Sequence, residues 1–160
     1  MALLGTYSFL DVQGSILGPG MSFNIGQDEG IAEEGITIEM EGDKGSITPG
    51  ADGSGMHNLH AYSGGVATIR LLKTSPLNAA LSQGYNFQTT SSALYGQNII
   101  SIRNPVTGDT IVCTGCGFRK LPNNVNGRDG GMLDWIFNCV RIDQILGDGG
   151  PISNLNLGAV

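Results

Sequence analysis

Cys113-x-x-Cys116 and His57-x-x-His60 are the residues whose types and spacing come nearest to a chemical site. Together they offer two thiolates and two imidazoles, a donor set that tetrahedral zinc favours. Against this, one CxxC is only half of a zinc pattern, and a metal site needs all its ligands convergent. On an extended strand, residues three apart point to opposite faces unless Gly115 bends the chain. A redox dithiol of the thioredoxin kind would sit at a helix N-terminus, which a strand-like stretch does not offer. The preferred reading is that none of the four is a ligand and that no cofactor is bound.

The carboxylates are no better placed for catalysis. Glu33, Glu34, Glu39 and Glu41 lie among glycines and small aliphatics. A hydrolytic carboxylate pair normally has a cleft with aromatic and polar neighbours, so a solvated anionic face is the better reading. Asp52-Gly-Ser-Gly and Asp129-Gly-Gly resemble pieces of calcium loops but lack the spaced carboxylates that follow in one, and read as turns. Gly42-Asp43-Lys44-Gly45-Ser46 has no leading glycine at the phosphate-loop spacing. No serine occupies a G-x-S-x-G elbow, and the two histidines lie together without triad partners. Arg119-Lys120 and Arg128 form a small basic cluster, suited to a solvated loop or a subunit contact. No enzyme is expected.

The elements that would position these residues are mostly strands. From Val66 to Lys73, Ala67, Ile69 and Leu71 share one face while Thr68 and Arg70 share the other, the period of a half-buried strand. Ser75-Pro76 then starts a helix over about residues 76–87: Ser caps, and Pro is tolerated in the first turn. Leu77, Ala80, Leu81, Gly84 and Tyr85 fall on one stripe. A helix this short must dock on something, so one helix lies across a β-rich domain. Thr6–Gln13 and Met21–Ile25 read as strands separated by a turn at Gly14, Gly18, Pro19 and Gly20. Ile36, Ile38 and Met40 alternate with Thr37, Glu39 and Glu41, and Gly42–Gly45 reads as a hairpin tip leading into Ser46–Thr48. Pro49–Gly55 reads as a flexible loop. Ile99–Arg103 and Thr110–Thr114 form a hairpin, and Pro122–Gly131 is a polar loop. A long final strand begins at Leu133 and continues towards Ile145. The polar region of about 27–55 projects from the domain, and the glycine-rich tail 147–160 is mobile or orders only on assembly.

Size and charge bound the role. The 160 residues suit a single domain, and 26 glycines with a normal 40% hydrophobic content suit short strands joined by glycine turns. Three cysteines, an odd number, argue against a disulfide framework and for a reducing cytosol during synthesis. No leader or apolar span indicates export or membrane insertion. Residues 1–52 carry nine acidic side chains and only Lys44, a balance of −8; residues 53–160 carry five acidic and seven basic ones, a balance of +2. The first third therefore cannot grip a nucleic-acid backbone, which needs Lys and Arg. It suits a surface past which a polyanion slides without sticking.

Five stretches carry a resemblance that runs through nearly the whole chain in order. They are Gly5-Thr-Tyr-Ser-Phe-Leu-Asp-Val-Gln, Ala32-Glu-Glu-Gly-Ile-Thr-Ile-Glu-Met, Gly50-Ala-Asp-Gly-Ser-Gly-Met-His, Arg70-Leu-Leu-Lys-Thr-Ser-Pro-Leu-Asn and Asp143-Gln-Ile-Leu-Gly. The chain resembles the tail tube proteins of contractile-tailed bacteriophages. That resemblance implies a mainly β fold, a β-sandwich or barrel flanked by one helix and related to type VI secretion tubes. It also implies hexameric rings stacked into a hollow tube inside a sheath, with no catalysis. The implied partners are further copies of the chain, the sheath, tape measure, baseplate and tail terminator proteins, and DNA passing through without specific contacts. The implied location is the virion tail, assembled in the host cytoplasm. Thr37, Glu39, Glu41, Asp43 and Lys44 are then candidates for the lumen or the ring-to-ring interface. A tail terminator or baseplate tube adaptor on the same fold is the alternative, and a small zinc domain using His57, His60, Cys113 and Cys116 is the distant one.

Overall fold

In the computed structural model, residues 5–26 and 31–148 are described. The first strand pair is β1 (Gln13–Gly18) and β2 (Met21–Gly26), closed at the Gly18-Pro19-Gly20 turn with Gly18 opposite Met21. The expected strand over Thr6–Gln13 is instead a coil and a 3-10 turn at Phe9–Asp11, and Gly14 lies within β1. Ser8 accounts for the difference: its Oγ accepts from Leu10 N–H (3.2 Å) and its carbonyl from Asp11 N–H (3.1 Å). Such local bonds compete with a ladder.

Eight strands share one hydrogen-bonded sheet that folds into two layers, seven on a continuous path and one branching from it. They are β1, β2, β3 (Ile31–Met40), β6 (Gly65–Leu72), β7 (Asn98–Asn104), β8 (Asp109–Lys120), β9 (Met132–Cys139) and β10 (Arg141–Ile145). The order is β2-β1-β7-β8-β9-β6-β3, with β10 also on β8. The other two strands, β4 (Gly45–Pro49) and β5 (Gly55–Leu59), make a separate two-stranded sheet. β8 belongs to both layers. Its first half pairs with β7 and β10, and its last residues pair with β9. Between the halves Gly115 takes φ +64°, a left-handed conformation that a glycine adopts without steric penalty and that turns the strand from one layer into the other.

That corner also breaks the expected final strand. β9 stops at Cys139, Val140 N–H donates to Thr114 carbonyl (3.2 Å), and β10 returns along the first half of β8. One run of sequence thus serves two layers. The expected hairpin of β7 and β8 is present, with Asn104 opposite Asp109. Asn104 Oδ1 accepts from the Val106 and Thr107 amides and fixes the turn.

The interior follows the alternation read in β6: Ala67, Ile69 and Leu71 are fully buried. Ile16, Ile25 and Ile100 face them from the first layer, and Trp135 and Phe137 add bulk from β9. Phe118 sits among aromatic rings, 4.6 Å from Phe137, 5.6 Å from Tyr85 and 6.0 Å from Trp135 between centroids, the last two edge-on. Edge-on contacts suit the ring quadrupoles.

The single helix among the described residues, α1 (Leu77–Gln88), matches the expected range within a residue. Leu77 N–H donates to Ser75 Oγ (3.3 Å). Its buried face is Leu77, Leu81, Gly84 and Gln88, and the missing side chain at Gly84 makes room for Met21 of β2. Its C-terminal end is fixed by a reciprocal amide pair that the stripe did not reveal. Gln88 Nε2 donates to Asn98 Oδ1 and Asn98 Nδ2 to Gln88 Oε1, both at 2.8 Å, and Gln88 also reaches Pro19 carbonyl. Both amides are fully buried, so the pairing removes a desolvation cost that neither could bear alone.

Candidate functional site: an assembly surface

Gly42–Gly45 is not the tip of a hairpin between β3 and β4. β4 pairs with β5, with Ile47 opposite His57 and Ser46 opposite Asn58, and the tip is the PGADGSG stretch read as a loose loop. There Gly50 N–H donates to Ser54 carbonyl (2.6 Å). Asp52 Oδ1 accepts from both Ser54 N–H (3.0 Å) and Ser54 Oγ (2.6 Å). These bonds hold the Asp52 carboxyl below its usual value. The pairing could have been read from Asp52-Gly53 lying between two alternating runs, which is a hairpin signal.

The two faces of this hairpin differ. One carries Ser46, Thr48 and Asn58 together with the exposed Met56 opposite Thr48, and there Asn58 Nδ2 donates to Thr48 Oγ1 (2.9 Å) and Ser46 Oγ (3.2 Å). The other, by alternation, carries Ile47, His57 and Leu59. Ile47 is 63% and Leu59 83% exposed. A lone two-stranded hairpin is marginal in water, and an uncovered apolar face is a contact surface in want of a partner. Lys44 anchors the base: its Nζ donates to Ser63 Oγ (2.9 Å) and to the carbonyls of Ala61 and Tyr62. His60 N–H donates to Lys44 carbonyl, and the His60 ring meets Asp43 carbonyl (3.0 Å).

The five candidate positions therefore divide. Thr37 and Glu39 are exposed on the outer side of β3. Glu41 is engaged by Arg119 (2.9 Å), which also holds Asn138 Oδ1, so part of the basic cluster neutralises part of the acidic face. Lys44 and the backbone of Asp43 serve the hairpin base. The side chains of Glu33 and Glu34 and the tail residues 149–160 lie outside the described residues.

His57 and His60 sit on the exposed hairpin, whereas Cys113 and Cys116 lie in the sandwich interior beside Cys139. The structure does not bring the histidines and cysteines together. Among the described residues no group of three His, Cys, Asp or Glu is arranged to hold a metal.

Sheet edges complete the surface. β2, β3 and β10 each have one ladder partner among the described residues; the other edge of β10 is met near its start by Ser63, whose carbonyl accepts Ile142 N–H (2.9 Å), and is without a strand beyond it. Along β3 the sandwich opens into a crevice of about 210 Å³, lined by Tyr7, Phe9, Ile36, Ile38, Ile102 and Ile111 among others. Nothing in these surfaces offers a nucleophile beside a base or a closed polar pocket. They offer edges and apolar faces.

Comparison with known proteins agrees with the resemblance read in the sequence. A family model described as the bacteriophage PhiTE tail tube protein matches residues 4–147. A search of curated sequences gives no match. Among solved structures, the tube-terminating cap of the anti-feeding prophage (AFP) aligns with TM-score 0.55 and 8% identity, covering 92% of this chain and 95% of that one. The sheath–tube complex of the extracellular contractile injection system PVC, in its extended state, aligns with TM-score 0.54 and 12% identity over 91% and 95%. The PVC sheath/tube terminator aligns with TM-score 0.53 and 12% identity over 90% and 99%. At such identities these structures establish the shared fold. The family match spans nearly the whole chain, and the chain belongs to the bacteriophage tail tube protein family, a structural component of phage tails and not an enzyme.

Proposed function

We propose that copies of this chain close into rings, six to a ring as the family resemblance implies, and that the rings stack into the hollow tube of a contractile tail. The observation that carries this reading is the β4–β5 hairpin, a strand pair of its own whose Ile47 and Leu59 no part of the described chain covers. Seated on the next ring, that face buries its apolar side chains and the hairpin gains the support it lacks alone. The outer edges of β3 and β10 supply lateral contacts, since an open edge is an aggregation hazard unless the neighbouring subunit completes it.

In the assembled tail the tube lies inside a sheath, meets a baseplate at one end and a terminator at the other, and encloses the tape measure protein before DNA passes. Assembly takes place in the host cytoplasm. With Glu41 engaged by Arg119, Glu39 and Thr37 are the exposed β3 side chains that would face the lumen or the adjoining ring. A thinly anionic wall repels DNA weakly and uniformly, which leaves no deep minimum to arrest passage.

Negative-stain imaging of the purified chain across a concentration series tests the proposal. The unmodified chain should form long hollow rods. The double variant Ile47→Asp/Leu59→Asp should keep its Tm within about 2 °C, because exposed positions contribute little to the fold, yet form no rods. A chain that stops at single rings would favour the terminator role. A chain that stays unassociated under every salt and crowding condition would overturn the reading.

A further inference from the structure

Three thiols meet at the corner where β8 passes between layers. Because Gly115 turns the strand, Cys113 and Cys116, three residues apart, are both fully buried, and Cys139 at the end of β9 is 3% exposed. Cys116 lies one step beyond the pair Gly117↔Asn138, so it faces Cys139 across the ladder. Their sulfurs are 3.1 Å apart, with Cys116 donating. Cys113, on the other side of Gly115, interacts electrostatically with Cys139 and lies opposite Ile100 and Ile142. A disulfide needs sulfurs at about 2.05 Å between strands that already lie close, so closure here requires a movement of roughly 1 Å.

The cluster is polarised towards one sulfur. The thiols of Cys113 and then Cys116 pull Cys139 down, against the effect of burial, while their interaction with Cys139 and burial push both of them up. Cys139 is therefore the sulfur that carries negative charge first, and the thiolate is the reactive form.

We propose that Cys116 and Cys139 form a redox latch, joined as a cross-strand disulfide by hydrogen peroxide, an oxidant small enough to enter with local opening of the corner. The Cys139 thiolate attacks one peroxide oxygen. The O–O bond breaks, a sulfenic acid forms, and the departing hydroxide takes up the thiol's proton as water. The Cys116 sulfur then attacks the sulfenic sulfur. The S–O bond breaks, the S–S bond forms, and a second water leaves with the Cys116 proton. Two thiols and one peroxide give one disulfide and two waters, and the two electrons lost by sulfur reduce the peroxide. Cys113 stays reduced. The bridge closes the chain between 116 and 139, which includes the polar loop 122–131, and clamps the end of β8 to β9. It changes nothing on the hairpin or the sheet edges, so the latch is independent of whether the chain assembles.

The test treats the full-length chain with a modest excess of hydrogen peroxide, then counts thiols under denaturing conditions. Free thiols should fall from three to one. Peptide mapping should show Cys116 joined to Cys139, and Tm should rise by roughly 6–12 °C, reversed by dithiothreitol. The variant Cys113→Ser should form the same bridge and retain no free thiol, whereas Cys139→Ser should show no rise in Tm. Three surviving thiols, oxidation to sulfinic acid without a bridge, or a bridge through Cys113 would each overturn the latch.

Discussion

The sandwich interior and the β4–β5 hairpin put the same local rule to opposite use. In β6 the period of two places Ala67, Ile69 and Leu71 on one face, and the other layer buries all three completely. In the hairpin the same period gathers Ile47, His57 and Leu59, yet no second layer among the described residues covers them. The interior is held by apolar burial and aromatic contacts. The hairpin is held by side-chain bonds on its polar face, an Asp52–Ser54 turn and the Lys44 anchor. Strand-like alternation therefore does not say whether a face belongs to the fold or to a neighbour. The presence of a second layer does. On the proposed reading, stability and capacity for association would reside in different residues of this chain.

The sharpest way to break that division is to attack the interior. Phe118→Ala removes the ring shared by Tyr85, Trp135 and Phe137 at the corner of the two layers. It should cost about 3–5 kcal/mol of unfolding free energy, as large-to-small aromatic changes in cores do. Denaturant unfolding measures it, and a loss below about 1 kcal/mol would mean that the corner is not part of the core. Gln88→Ala ranks next, at about 1–3 kcal/mol, because it leaves Asn98 buried without its partner. The comparison sharpens with the double variant Gln88→Leu/Asn98→Leu, which removes both polar groups and should recover most of the loss. A double variant as weak as the single one would mean that the amide pair contributes more than mutual satisfaction.

Those interior elements were largely legible in the sequence because their signals are local. Ser75-Pro76 and the stripe from Leu77 to Tyr85 located α1, and the turn at Asn104–Asp109 located the hairpin of β7 and β8. What escaped depends on distant pairing. The break at Val140 follows from Gly115 sending the two halves of β8 to different layers, although the glycine itself was conspicuous between the two cysteines. The convergence of Cys113, Cys116 and Cys139 required the register of β8 on β9. Glu41 looked like a free carboxylate until Arg119, 78 residues away, came to lie 2.9 Å from it. Of the assembly surface, the alternation of β3 was readable. The apolar face of β4–β5 was readable only in part: Asp52-Gly53 signals a hairpin tip, but PGADGSG carries no apolar anchor, and it is the register of Ile47 on His57 that puts Ile47 and Leu59 on one face.

The smallest effect probes the hairpin alone. The Asp52 carboxylate accepts the Ser54 hydroxyl and amide, and these bonds lower its pKa from the ordinary 3.8. A group whose folded value is depressed stabilises the fold above its unfolded pKa and loses that contribution as pH falls through the folded one. The turn is therefore fully supported above about pH 4 and should loosen below 3.8. Ser54 amide exchange, followed by NMR between pH 5 and pH 2 and corrected for intrinsic rates, should lose protection with a midpoint below the ordinary value. The β6 amides should keep theirs over the same range, since backbone ladders to β3 and β9 and the buried Ala67, Ile69 and Leu71 hold that strand, and its carboxylate contact, Arg70 with Asp134 (2.7 Å), is a part-exposed side-chain pair. Asp52→Asn should abolish the inflection and leave the sandwich's Tm unchanged. If the β6 amides lost protection together with Ser54, the hairpin and the sandwich would be one cooperative unit, and the separation of their roles would fail.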